Sequence, residues 1–218
     1  MHKTKIAIIA LALVLLFVGP SQGADKAKLD DAFAKLAAYD FGRDSTATTT
    51  IANLVAASYG KPDDRRDLAC RLAEVLKSGA PRGAKDCACR QLSIIGTEAE
   101  VPALAGLLAD ENLSHMARYA LERIPGAAAP EAMHQALGKV KGKLLVGMIN
   151  SLGNRRLAAA VGDLTRLLAD SDPAVAQAAA VALGKIGPAG CPALEQALDK
   201  APAPVRPAVA QALLLCAE

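Results

Sequence analysis

Two stretches of this sequence are nearly the same, and their similarity constrains the fold more than any other feature. LLADSDPAVAQAAAVALGKIG occupies residues 167–187, and a looser version, LLADENLSHMARYALERIPG, occupies residues 107–126. Apolar segments end on a glycine at intervals of 30, 27 and 34 residues, at Gly96, Gly126, Gly153 and Gly187. Self-similarity at such a period is typical of a stacked repeat architecture.

Each repeated unit contains the patterns of two helices. In residues 158–186, apolar residues first recur at helical spacing up to Leu168, and a second helical stripe then runs from Val175 to Ile186. Asp172 and Pro173 between them are the residue types that begin a helix, and Gly187 is the type that ends one. Because the second helix is apolar nearly all round, it must be packed between neighbouring helices.

Stacked helix hairpins bury such helices, so we expect an all-α fold. The sequence predicts an α-solenoid, a right-handed superhelix of about six antiparallel helix hairpins. The run TATTTI at residues 46–51 is rich in β-branched residues but is interpreted as the start of a helix. The predicted helix pairs are 25–39 with 46–59, 62–77 with 82–95, 98–109 with 113–124, 130–140 with 143–152, 157–169 with 173–186, and 188–198 with 204–216.

The first residues have the pattern of a secretory signal peptide. MHKTK is basic, IAIIALALVLLFVG is apolar, and Ser21 and Gly23 supply small residues three and one before a cleavage site. We therefore expect residues 1–23 to be removed after Gly23, which predicts a periplasmic or secreted protein. An uncleaved N-terminal anchor is the alternative. After cleavage the sequence predicts no membrane insertion, because no other segment is apolar over a membrane-spanning length.

The mature chain divides into two parts in our interpretation. Residues 61–218 form the repeat array, whereas residues 24–60 form a divergent N-terminal capping hairpin. Nearly all the aromatic residues of the mature chain lie in or next to this hairpin, namely Phe33, Tyr39, Phe41 and Tyr59. Bulky side chains would close the end of a stack, and a docking patch is the alternative function for them.

The repeated unit resembles a known family. LLADSDPAVAQAAAVALGKIG resembles the unit of HEAT repeats, in particular the short PBS-lyase HEAT-like variety. The middle of the chain, with CRQLSIIGTEAEVPALAGLLAD, is similar to exported bacterial HEAT-repeat proteins of unknown function. HEAT-like units usually carry a basic residue early in the second helix, and this chain has Ala176 and Gln177 there. Because of this departure, we do not expect a ladder of Asp–Arg pairs between repeats at that unit. Such arrays serve many unrelated roles, so the resemblance implies a fold more than a function.

Charge and aromatic content argue against nucleic acid as a partner. The chain has 25 Lys and Arg against 22 Asp and Glu, and loss of Lys3 and Lys5 with the signal peptide leaves a balance near neutral. The sequence contains no Trp, three Tyr and three Phe, so few residues could stack on bases. A near-neutral chain without a basic block lacks the electrostatic pattern of nucleic-acid binding.

No motif of catalysis, metal binding or cofactor binding stands out. Neither His115 nor His134 is followed by a glutamate, so the His-Glu pairs by which some HEAT-repeat enzymes bind iron are missing. The chain also has no G-x-S-x-G motif and no C-x-x-C pair. We therefore expect no enzymatic activity, no cofactor and no metal site.

Five cysteines remain after signal cleavage, and an odd number leaves at least one unpaired. In the second hairpin Cys70 and Cys89 lie at nearly the same height on antiparallel helices. A disulfide between them is plausible if both side chains face the seam between the helices. Cys191 and Cys216 belong to the last hairpin but are about five residues out of level on the same arithmetic. The alternative for all of them, Cys87 included, is a small buried hydrophobic residue.

The predicted function is a non-catalytic, exported, protein-binding scaffold. Second helices line the concave side of such solenoids, and arginine and tyrosine are the residue types that most often contribute binding energy. One alternative is an accessory subunit or chaperone-like partner of an extracytoplasmic enzyme, and an enzyme in its own right ranks third. The candidate binding residues are Arg90, Arg118, Tyr119, Asn150, Arg155 and Arg156.

Overall fold

The computed structural model describes residues 21–216, and every regular element in that range is a helix. Short 3-10 turns precede α5 and α9 and follow α7. The predicted all-α fold is therefore confirmed. The α-helices are α1 Ser21–Ala37, α2 Thr46–Ala57, α3 Pro62–Lys77, α4 Arg82–Ile95, α5 Val101–Ala105, α6 Ser114–Leu121, α7 Ala128–Ala136, α8 Gly142–Asn154, α9 Val161–Leu167, α10 Pro173–Ile186, α11 Cys191–Leu198 and α12 Arg206–Cys216.

The helices pair in chain order and stack into an α-solenoid. Each odd-numbered helix packs on the even-numbered helix that follows it, which gives six hairpins as predicted. The even-numbered second helices also pack on one another in succession, from α2 through α12. Each inner hairpin is thus covered by the hairpins on both sides, which is how an array of short helices buries its apolar surface.

The N-terminal predictions fall largely outside the described residues. The predicted signal peptide covers residues 1–23, of which 1–20 are not described, and the predicted cleavage site after Gly23 lies within α1. Within residues 21–216, no helix combines the length and the apolar character needed to cross a membrane. Export of the chain therefore stays a prediction.

Helix α10 begins and ends where its sequence predicts. The Asp172 carboxylate accepts a hydrogen bond from the Ala174 amide at 2.9 Å, Pro173 occupies the first helical position, and Gly187 ends the helix with φ of 84°. Gln177 reaches the following repeat, where its amide donates to the Pro204 carbonyl oxygen at 2.6 Å. A glutamine thus links two repeats at the position where HEAT-like units usually carry a basic residue.

Small residues let the second helices approach closely. A Cβ atom on Gly153 of α8 would lie 2.8 Å from the Ala182 Cα of α10. A Cβ on Gly184 of α10 would likewise lie 2.8 Å from the Ala212 carbonyl oxygen of α12. Real Cβ atoms do not come so near, so glycine and alanine at these positions set the distance between neighbouring repeats.

The first helices of the central repeats are shorter than predicted. The predicted helix over 98–109 is a 3-10 turn followed by α5, which ends at Ala105. Thr97 and Glu100 form a capping box that fixes this tight start, with the Glu100 carboxylate accepting from the Thr97 amide at 2.8 Å. The helix predicted over 157–169 is shortened in the same way to α9.

The threonine-rich segment is helical, as interpreted from the sequence. Helix α2 begins at Thr46, and the Asp44 carboxylate before it accepts hydrogen bonds from the Thr46 amide at 2.9 Å and its hydroxyl at 2.6 Å. These two bonds lower the pKa of Asp44. Burial of Ile51 and Val55 then holds the helix on its neighbours.

Candidate binding surface

A polar network joins the second helices α6, α8 and α10. The Arg118 guanidinium of α6 donates to the Ser151 hydroxyl of α8 at 3.0 Å, and Ser151 donates to the Glu122 carboxylate of α6 at 2.6 Å. Asn154 of α8 also donates to Glu122, at 3.0 Å, and accepts from Lys185 of α10 at 2.8 Å. These bonds link residues about one repeat apart, so they hold neighbouring hairpins in register.

Two of the predicted binding residues bond within the protein. Arg118 is half-buried, and burial lowers the pKa of its guanidinium. Arg155 donates to the carbonyl oxygens of Glu122, Ile124 and Gly126 at 3.2, 3.0 and 2.8 Å, and so satisfies acceptors left free after the end of α6. Both arginines therefore form hydrogen bonds with the neighbouring repeat.

Arg90 and Tyr119 lie together on the exposed side of α4 and α6. The Arg90 side chain is 60% exposed and is held by Asp86 at 2.8 Å. The hydrogen bond with Asp86 is the main cause of the raised pKa of Arg90, and Tyr119 of the next second helix lies near enough to contribute. The ion pair keeps the guanidinium oriented while most of its surface stays accessible.

Arg123, in the turn that follows α6, extends this group. Its guanidinium carbon lies 3.6 Å from the centre of the Tyr119 ring, and its Nη1 donates to the Tyr119 carbonyl oxygen at 3.0 Å. Tyr119 is therefore covered on one face of its ring by a stacked cation. A tyrosine fixed in this way loses less side-chain entropy when a partner binds.

A hollow between α2 and α4 adjoins Arg90. Its volume is about 350 Å³, and Phe41, Thr48 and Asp86 lie in its wall together with Arg90. Phe41 is 54% exposed, and the Arg82 guanidinium lies 5.7 Å from the centre of its ring.

Gly83 fixes the position of Phe41. A Cβ on Gly83 would lie 2.9 Å from the Asp40 Cα, so only glycine admits the segment before Phe41 this close to α4. The Gly83 amide also donates to the Asp40 carboxylate at 2.9 Å. We call the resulting continuous group the arginine–aromatic surface: Phe41, Arg82, Arg90, Tyr119 and Arg123.

A larger cavity lies between α7 and α10, but its charged groups are largely paired with one another. Its volume is about 510 Å³. Nε2 of His134 lies 2.6 Å from the Asp163 carboxylate, which also pairs with Arg166, and Asp172 is occupied by capping α10. Among residues 21–216, no group of three or more His, Cys, Asp or Glu side chains is placed to hold a metal ion. Most of the charged side chains that line this cavity therefore already have a partner within the protein.

Residues 130–214 match the family model for HEAT repeats. This part of the chain is similar to HEAT repeats. This confirms the resemblance seen in the repeated unit, and the hairpin stack is the architecture that HEAT repeats build. A solved structure of human deoxyhypusine hydroxylase in complex with glycerol is similar over 91% of this chain and 99% of that one, with 18% sequence identity and a TM-score of 0.42. Comparison of the sequence with curated proteins finds no match.

The other two predicted binding residues lie on α8 and in the loop that follows it. Asn150 is half-buried on α8, and Arg156 is exposed in the following loop with φ of 50°. Neither adjoins Arg90 and Tyr119 in the contacts described above. Sequence reasoning missed Arg123 as a site residue, because its contact with the Tyr119 ring depends on the turn that follows α6.

The structure does not support the predicted Cys70–Cys89 disulfide. Cys70 is exposed whereas Cys89 is fully buried. The prediction required both side chains to face the seam between the two helices. Cys70 points to solvent while its neighbours Ala69 and Leu72 form the buried side of α3, so the two sulfurs face different environments. Burial raises the pKa of Cys89 to about 12, as expected for a buried small hydrophobic residue.

Proposed function

We propose that this chain is a non-catalytic protein-binding scaffold whose arginine–aromatic surface holds a segment of a partner protein. HEAT repeats typically serve as protein-interaction scaffolds, which supports the general class. The observation that carries the specific site is the exposed group of Arg90, Tyr119 and Arg123, fixed by ion pairing and stacking on adjacent second helices. Arginine and tyrosine are enriched among the residues that dominate binding energies.

The chemistry of the surface favours an acidic partner segment that also carries an apolar side chain. Arg82, Arg90 and Arg123 supply guanidinium groups, which bind carboxylates through paired hydrogen bonds. The 350 Å³ hollow beside Phe41 would accept an apolar or aromatic side chain of the same segment. Asp86 stays bonded to Arg90, and the positive charges of Arg82 and Arg123 would disfavour basic segments.

The proposed place of action is outside the cytoplasm, after cleavage behind Gly23. Protein recovered from the periplasm or medium should then begin at Ala24, which N-terminal sequencing or intact mass would show. A chain that starts at Met1 in the membrane fraction would instead identify an uncleaved anchor. If the partner is an exported enzyme, the scaffold acts as its accessory subunit, which is the second function we considered.

Selection of peptides against the mature protein tests the binding proposal. We expect enrichment of peptides that combine Asp or Glu with Phe, Tyr or Leu, because these match the guanidinium groups and the hollow. The triple variant Arg90→Ala, Tyr119→Ala, Arg123→Ala should weaken binding of the selected peptides at least about tenfold, measured by fluorescence anisotropy. Raised salt should also weaken it, since the interaction is partly ionic.

A second triple variant serves as the matched control. Tyr59→Ala, Arg66→Ala and Lys77→Ala also remove one tyrosine and two cations, and these residues are exposed. None of them belongs to the arginine–aromatic surface. Peptide affinity should stay within about twofold of the parent in this variant. Equal loss in both variants, or no loss in the first, rejects the proposed site.

A further inference from the structure

The structure brings Cys191 and Cys216 together at one end of the last hairpin. The Cys191 thiol donates to the Gly187 carbonyl oxygen at 3.5 Å, and the Cys216 thiol donates to the same oxygen at 3.6 Å. Because both sulfurs contact one atom, they are close neighbours. The Cys191 sulfur also lies 4.0 Å from the Cys216 carbonyl oxygen.

The observed helix boundaries explain why the sequence predicted different heights for Cys191 and Cys216 along the last hairpin. The first helix of the last hairpin was predicted to begin at residue 188, but α11 begins at Cys191 itself. Helix α12 ends at Cys216, so the two residues occupy the same end of the hairpin. Turns in residues 199–205 take up the difference in length between the two helices.

The surroundings of the two thiols differ from those of the other cysteines. Cys191 and Cys216 are both partly exposed, whereas Cys87 and Cys89 are buried within α4 and Cys70 lies on the outside of α3. The pKa of Cys216 is raised to about 12, first by burial and second by a hydrogen bond with the Cys191 thiol.

We propose that Cys191 and Cys216 form an intramolecular disulfide that fastens α11 to α12. The oxidant is a disulfide, either a small molecule or a thiol oxidase. One cysteine thiolate attacks a sulfur of that disulfide and releases its first thiol. The other cysteine thiolate then attacks the sulfur of the first cysteine in this mixed disulfide and releases the second thiol of the oxidant. The protein loses two protons and two electrons, and the oxidant disulfide gains both.

Such a bond would protect the last described hairpin. Within residues 21–216 this hairpin packs on one neighbouring hairpin, through α10, and regions with few buried contacts open most readily. Helix α12 covers α10 through the close contact of Ala212 with Gly184. Fastening the end of α12 therefore keeps that contact closed when the thiols are oxidised, as in an oxidising compartment outside the cytoplasm.

Peptide mapping of the oxidised wild-type protein tests the proposal without a variant. Trypsin cleaves after Lys185 and Lys200, so Cys191 and Cys216 fall on the separate peptides 186–200 and 201–218. After incubation of the folded mature chain with oxidised glutathione, we expect these two peptides to be joined, with the loss of two hydrogen atoms from the intact mass. Alkylation after unfolding should label Cys70, Cys87 and Cys89 only.

Variants and melting temperature complete the test. Cys216→Ala should abolish the joined peptides, whereas Cys70→Ala should leave them unchanged. Oxidation should raise the melting temperature of the wild-type chain by about 5 °C relative to the reduced protein, and should not do so in Cys216→Ala. Free Cys191 and Cys216 after oxidation, separate glutathione adducts on each, or a joined peptide that contains Cys70 would overturn the proposal.

Discussion

Replacing Leu121 by alanine is expected to lower the free energy of unfolding by about 3 kcal/mol. Leu121 is fully buried in α6, which packs on α4, α5, α7 and α8. The substitution removes three carbon atoms from a site surrounded by helices on all sides, so the cavity cannot collapse without moving a neighbouring repeat. Urea unfolding followed by far-ultraviolet circular dichroism would measure the loss.

Leu214→Ala is the matched control for this prediction. The chemical change is the same, but Leu214 is 72% exposed on α12. The free energy of unfolding of the Leu214→Ala variant should stay within about 0.5 kcal/mol of that of the parent. If the two substitutions cost the same, Leu121 is not enclosed between repeats and the packing of α6 is misplaced.

The second large effect is expected at Gly153, where two repeats touch. Gly153→Val should lower the free energy of unfolding by about 3 kcal/mol, since even a Cβ there would lie 2.8 Å from the Ala182 Cα. Gly153→Ala should cost about 1 kcal/mol, because overpacking exceeds the gain in helix propensity. The steric cost arises from backbone atoms of α10, which a rotamer change cannot relieve.

Gly162→Ala tests the same chemical change without the contact. Gly162 lies in α9, and no atom would approach a Cβ there within 4 Å. Alanine should leave stability unchanged or raise it by up to about 1 kcal/mol, because alanine has the higher helix propensity. Both changes should be followed by urea unfolding. A gain at Gly153 like that at Gly162 would contradict the close approach of α8 and α10.

Much of the fold could be predicted from local sequence signals. Asp172 and Pro173 mark the start of α10, Gly187 marks its end, and the structure uses all three as predicted. These signals work because caps depend on backbone groups within one turn of the residue. The helix predicted over 98–109 was too long because residues 106–109 form turns after α5, which apolar periodicity does not distinguish from a helix. The capping box at Thr97 and Glu100 gives this segment its 3-10 start.

Side-chain direction across repeats could not be predicted in the same way. Arg90 and Arg118 occupy similar helices and were grouped together, yet Arg118 reaches into α8 while Arg90 stays exposed. The difference depends on partners such as Ser151, thirty-three residues away in the chain. The proximity of Cys191 and Cys216 could not be predicted either, because it depends on where α11 begins and on the turns before α12.

Site-specific photo-crosslinking would test most directly whether partners bind on the arginine–aromatic surface. A photoreactive phenylalanine analogue would replace Tyr119 in one protein and Tyr59 in another, since both tyrosines are exposed and aromatic. With a peptide selected as described above, we expect covalent capture from position 119 and none from position 59. Capture from position 59 alone, or equal capture from both positions, would contradict the assignment of the binding surface to α4 and α6.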